Sequence, residues 1–137
     1  KELVEISKPM NFTFHRAFDW VKNPIEEIKK LAKIGVERIL TSGQENSAEI
    51  GIQNLIAFQK STSKITIMPG GGINQQNINL FQENRFKEVH LSASSQNKTI
   101  QKPTISMNSQ KHFDETKLAT SDIQKIKNCI EIISNEK

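Results

Sequence analysis

Asn11-Phe12-Thr13-Phe14-His15-Arg16-Ala17-Phe18-Asp19 brings a histidine, an arginine and an aspartate to the end of one short extended run. A neutral imidazole at His15 can act as a general base or ligate a metal. Arg16 carries a permanent charge on a planar fork that matches a carboxylate or a phosphate. Asp19 completes a candidate catalytic set with them; alternatively it forms an ion pair with Arg16, or caps the turn before the next helix. Phe12 and Phe14 fall on one face at period two, which leaves Thr13 and His15 together on the other. Such a polar face fits a half-exposed strand, or a strand covered on both sides with chemistry at its carboxyl end.

Three further runs end in polar or small residues. Leu40-Thr41-Ser42-Gly43-Gln44 offers hydroxyls at Thr41 and Ser42, either to a ligand or to a turn stabilised by its own side chains. Gly70-Gly71-Gly72 follows a β-branched run and is neither a Walker A loop nor a G-x-G-x-x-G fingerprint. Behind a strand of a barrel it would bind an anion through backbone amides, with Ser94 and Ser95 completing the cradle. The other reading is a tight corner. In Glu88-Val89-His90-Leu91-Ser92-Ala93, His90 and Ser92 share a face; His90 joins the candidate catalytic set and Ser92 the ligand-binding one. Glu88, nearer the amino end, belongs to a structural floor and needs a cationic partner.

Helices must position these ends. Asn23 can cap a helix with Pro24 at its first position, Glu26 and Glu27 in its first turn, and Gly35 as its stop. A strand over Glu37 to Ser42 follows, then a helix opened by Asn46 or Ser47 that buries Ile52, Leu55, Ile56 and Phe58. Lys64 to Met68 forms a third strand, and after Asn74 a short helix uses Ile78, Leu80 and Phe81. Lys87 to Ala93 reads as a fourth strand. A long loop rich in Ser, Asn and Gln leads to a last helix that begins at Ser121, where Gln124 gives capping-box spacing and Ile123, Ile126, Ile130 and Ile133 line one face.

Four strand-then-helix units at a period near 25 residues predict an α/β fold with a parallel sheet and right-handed crossovers. An open doubly wound sheet and a (β/α)8 TIM-type barrel both meet that description. The strand faces favour the barrel. Thr13, His15, Thr66, Met68, Glu88, His90 and Ser92 would point to one interior, whereas a sheet covered by helices on both sides shows near-continuous apolar runs.

Composition narrows the function classes. The chain has 137 residues, 35% of them hydrophobic, and its lysines are scattered instead of gathered with aromatics, so neither nucleic acid nor a membrane is the expected partner despite a net charge of +4. A single cysteine, Cys129, excludes an internal disulfide and fits a reducing, cytoplasmic compartment. Leu3, Val4 and Ile6, before Pro9, read as the tail of a helix.

Thr13 to Asp19, Leu40 to Gln44, Ile67 to Ile73 and Glu88 to Ala93 resemble, in order and spacing, four successive strand-end motifs of the CutC family. That resemblance covers essentially the whole chain but only the second half of the family's barrel. It implies that the chain is one domain supplying strands five to eight of a (β/α)8 barrel. It also implies copper homeostasis, with copper as the bound ion and the family's proposed copper-binding cysteines on the half not present. A half barrel leaves two open edges and an uncovered interior face. The expectation is therefore an excerpt of a longer protein, or a half that pairs with another half through self-association.

The residues themselves do not build a soft-metal site. Cu(I) prefers thiolate and thioether ligands. Cys129 sits among isoleucines on the last helix, Met68 reads as packing, and His112 stands alone in the polar loop. Site chemistry points instead to an enzyme acting on a small phosphorylated or carboxylated metabolite, using His15, Arg16, Asp19 and His90 with Thr41, Ser42, Gly70, Gly71, Gly72 and Ser92. An interaction scaffold is the third class, and polar residues at all four strand ends argue against it.

Overall fold

A computed structural model describes residues 1–98 and 117–134. Its core is an α/β arrangement in which three parallel strands, β1 (Thr13–Phe14), β2 (Arg38–Thr41) and β3 (Thr66–Pro69), lie side by side in that order. The register pairs Phe14 with Ile39, Ile39 with Ile67 and Thr41 with Pro69, so the carboxyl ends align at one edge of the sheet. Helix α1 (Glu2–Ile6) precedes β1, and α2 (Pro24–Lys33) and α3 (Ile52–Lys60) make the crossovers.

The period-two pattern sorts residues as the sequence predicts. Ile39, Thr41, Ile67 and Pro69 are buried, while Arg38, Leu40, Thr66 and Met68 on the other face are only half-covered. Ile28 of α2, Leu55 and Phe58 of α3, and Ile78 and Phe81 of α4 (Ile78–Glu83) close over the buried face. On the open face, Arg38 Nε donates to Glu88 Oε2 at 2.6 Å, which supplies the cationic partner that Glu88 requires.

Several boundaries differ from the sequence expectation, for local reasons. Pro24 opens α2 as expected, but Asn23 makes no side-chain cap. The helix expected from Asn46 or Ser47 starts at Ile52, because Ser47 instead closes its own turn, its carbonyl accepting from Gly51 N–H and its hydroxyl from Ile50 N–H. There the backbones of Ser42 and Gly43 pass so close to Gly51 that a Cβ on Gly43 or Gly51 would collide with main-chain atoms.

The fourth strand, expected over Lys87 to Ala93, is reduced to one parallel bridge, Gly70 to His90, in which His90 N–H donates to the Pro69 carbonyl at 2.8 Å. Ala93, at φ 45°, turns the chain away from the sheet. The polar stretch that follows, expected as a loop, pairs at its base: β4 (Ser94–Lys98) runs antiparallel to β5 (Lys117–Ser121). The rest of that loop, with His112, lies outside the described residues.

Helix α5 (Ile123–Ser134) is capped by Asp122, whose carboxylate accepts from the N–H groups of Gln124 and Lys125; Ser121 instead ends β5. Its expected apolar face is largely uncovered, with Ile123 70% and Ile130 58% exposed, and the helix packs on α4, whose Gln82 Nε2 donates to Ile133 O at 3.4 Å. Cys129 is buried, as its sequence neighbours suggested. No helix among the described residues is long and apolar enough to cross a membrane.

Candidate functional site

Residues after β1 form a 3-10 turn, Arg16–Trp20, and its one buried residue, Phe18, fixes it to the core. Phe18 meets Phe58 of α3 edge to face at 5.6 Å between centroids. That anchor carries Arg16 and Asp19 to the carboxyl end of β2, where Asp19 becomes the hub. Its Oδ1 accepts from Thr41 Oγ1 at 2.5 Å, Ser42 N at 3.1 Å and Gln44 N at 3.2 Å. Its Oδ2 accepts from Arg16 Nε at 2.8 Å. Burial of this carboxylate disfavours its charge, yet the bonds from Thr41, Arg16, Gln44 and Ser42 outweigh that and hold its pKa below the ordinary 3.8. Asp19 is thus an anion at neutral pH and positions its neighbours instead of moving protons.

Arg16 is fastened twice on one side. Besides Nε to Asp19, its Nη2 donates to Ser42 Oγ at 2.7 Å. The ion pair with Asp19 that the sequence allowed is therefore present. Nη1 stands 3.3 Å from where a Cβ of Gly71 would be, with no hydrogen-bond partner among the described residues. Gly71, at φ 115°, and Gly72, at φ 78°, adopt conformations that a side chain would strain. The guanidinium thereby lies against bare backbone.

Thr41 and Ser42, expected to offer hydroxyls to a ligand, are fully buried and engaged within the protein. Thr41 Oγ1 also accepts from Gly43 N–H at 2.9 Å, and Ser42 Oγ lies 2.6 Å from the Glu45 carbonyl. Gly70 is a packing position as well: its N–H donates to Thr41 O at 2.9 Å, and the Leu40 side chain and His90 Cβ occupy the space beside its Cα. Gly71 carries the next structural bond through its carbonyl, which accepts from Ala48 N–H at 2.9 Å. The N–H group of Gly72 has no partner among the described residues.

His15 caps the 3-10 turn. Its Nδ1 accepts from Ala17 N–H at 3.0 Å, which assigns the ring proton to Nε2. In that tautomer the exposed ring offers a donor at Nε2. His90 is exposed on the neighbouring segment, held by its backbone. Ser92 Oγ pairs with Ser94 Oγ at 3.2 Å, and Ser95 Oγ is taken by Asp122 at 2.8 Å, so Ser95 belongs to the α5 cap and not to an anion cradle.

Among the described residues no group of three or more His, Cys, Asp or Glu side chains is arranged to hold a metal ion. Cys129 is buried on the inner side of α5, and Nδ1 of His15 is committed to a backbone N–H. The donor set present does not fit Cu(I).

Sequence reasoning missed Gln44 and Lys125. Gln44, at φ 62°, ties the site together by donating from Nε2 to Val21 O at 2.6 Å and from its backbone to Asp19. Its place directly after Gly43 in a polar strand end was a usable signal. Lys125 had none, since only the packing of α5 brings it near the glycine turn.

Comparison with known proteins agrees with the strand-end motifs. A family model described as CutC family matches residues 1–95. A CutC family protein of Bacteroides fragilis is 34% identical over 98% of this chain and 56% of its own length, and one of Proteus mirabilis is 38% identical over 82% and 46%. The chain thus spans about half the length of the curated relatives it matches. The crystal structure of a proposed copper homeostasis protein CutC from Streptococcus agalactiae superposes with a TM-score of 0.59 and 28% identity, over 65% of this chain and 45% of that one. Strand-end motifs, parallel α/β topology and homologous relatives converge, and this chain belongs to the CutC family.

Proposed function

We propose that this chain supplies four successive βα units of a CutC-type (β/α)8 barrel, and that its carboxyl-end mouth binds a small phosphorylated or carboxylated metabolite. The observation that carries the ligand class is Arg16. Its Nε and Nη2 are fixed by Asp19 and Ser42, and its Nη1 lies over the unsubstituted backbone of Gly71. A guanidinium immobilised on one edge and open on the other is prepared for an acceptor-rich group, because the ordering cost is met before binding. His15, with its proton on Nε2, adds a donor at the same end of the sheet.

A thermal-shift screen of the full chain against phosphorylated and carboxylated metabolites tests this reading. Stabilisation by at least one anion that Arg16→Ala abolishes supports it; indifference to every anion overturns it. Barrel closure has its own test. The uncovered edge of β1 and the exposed α5 stripe predict self-association of the isolated chain, and size-exclusion chromatography showing a stable monomer would contradict it.

Copper handling is a second reading, favoured by the printed name of the Streptococcus agalactiae protein. On that reading the metal ligands lie outside the described residues. Cu(I) affinity measured on a full-length relative, with and without its cysteines outside the matched segment, decides it; no tight binding sinks it.

A further inference from the structure

A cavity of about 390 Å³ opens on the far side of the glycine turn. Its walls come from three segments: Gly72 to Gln76, Leu91 to Ser94, and the first turns of α5 with Lys125 and Cys129. Buried Ile73 and Cys129 make its apolar floor. A bond from Asn128 Nδ2 to Gln75 Oε1 at 3.0 Å fastens α5 to the loop after β3, so the walls are joined. Polar groups converge at the rim. Lys125 Nζ donates to Ser94 O at 2.7 Å, which leaves two of its three protons for another acceptor. Ser92 and Ser94 share one hydrogen bond and keep one hydroxyl proton between them. The N–H groups of Gly72, Ile73 and Gln75 have no partner among the described residues, while Asn74 and Gln76 N–H are bonded within the loop.

We infer that this cavity binds the phosphate-like group of the ligand, with Lys125 as its countercharge, while Arg16 takes a second anionic group across the Gly71-Gly72 turn. The inference rests on the anionic reading of the mouth and makes it more specific: the ligand has two anionic heads, as a phosphorylated carboxylic acid does. Two observations carry it. Gly71 faces Arg16 and the very next residue lines the cavity, so Arg16 and the cavity meet at the same turn. Asp122, the residue before α5, is held at the helix cap by Ser95 Oγ and the N–H groups of Gln124 and Lys125, and it is not among the residues that line the cavity.

Isothermal titration calorimetry of the full chain with inorganic phosphate and with phosphoglycolate tests the assignment. Lys125→Gln should weaken inorganic phosphate about fivefold or more, and Lys125→Arg should restore it to within about twofold. Arg16→Ala should weaken phosphoglycolate about fivefold or more, and by more than it weakens inorganic phosphate. Phosphate affinity unchanged by Lys125→Gln overturns the cavity assignment. If Arg16→Ala alone then weakens phosphate, the anionic mouth stands without the cavity. Absence of binding by either anion overturns both.

Discussion

The Thr41 hydroxyl donates to the Asp19 carboxylate and, through the same oxygen, accepts from Gly43 N–H at 2.9 Å. One fully buried side chain thereby links the turn after β1 to the turn after β2. Thr41→Val keeps the shape and removes both bonds. The cost expected is about 1–3 kcal/mol, because an acceptor on Asp19 and a donor on Gly43 are left short of partners. Urea unfolding followed by the fluorescence of Trp20, the chain's single tryptophan, measures it. Thr41→Ser should recover most of the loss, and equal stability of the valine variant and the parent would refute the role.

Asp19→Asn removes the charge on which Arg16 Nε and two backbone N–H groups converge. The Asp19 side chain is 9% exposed against 45% for Arg16, so loss of the carboxylate disturbs a buried hub and not a surface ion pair. A destabilisation of about 2–4 kcal/mol is expected, together with loss of anion-dependent thermal stabilisation as Arg16 is freed. A variant that unfolds with the parent's midpoint and still responds to anions would disprove the link.

The same hub sets an acid limit. Because the folded pKa of Asp19 lies below the ordinary 3.8, its contribution is complete above that value and is lost as pH falls through the folded value. Asp122 is depressed too, so the parent alone does not isolate the effect. The difference in unfolding free energy between parent and Asp19→Asn should be constant near neutrality and shrink between about pH 4 and pH 2. Parallel pH curves for the two proteins would show that Asp19 does not contribute in this way.

Arg38 and Glu88 form the ion pair on the open face, with side chains 27% and 37% exposed. Water still reaches both, so a double-mutant cycle of Arg38→Gln and Glu88→Gln should give a coupling energy below about 1 kcal/mol. A markedly larger coupling would mean that the open face is covered in solution.

The exposed stripe on α5 permits a separation of stability from association. Ile130→Glu should change the unfolding midpoint by less than about 0.5 kcal/mol, since Ile130 is 58% exposed, while lowering the apparent mass in size-exclusion chromatography. A large loss of stability would place Ile130 in the core.

Much of the site could be read from strand ends. Strand phase is local, and alternation at Phe12 to His15 and Ile65 to Met68 sorted core from open face because side chains on a strand must alternate. Arg16, Asp19 and the triple glycine were visible for the same reason: they follow such strands directly. What failed depends on partners distant in sequence. Lys87 to Ala93 has a strand's pattern, yet only His90 bridges β3. Ile123, Ile126, Ile130 and Ile133 of α5 have a helix's pattern, yet they stay 38% to 70% exposed, since periodicity names a face without naming its neighbour.

Residue types and spacing alone determined the family and the parallel α/β character. Only tertiary structure decided how the polar groups divide. Thr41, Ser42, Gly70 and Asp19 hold one another, His15 caps a turn, and Arg16 Nη1, Gly72 N–H and Lys125 Nζ keep protons without a partner among the described residues. The reason is physical: a buried polar atom must find a partner, and which partner is within 3 Å follows from how the turns after β1, β2 and β3 pack, not from their order in the chain.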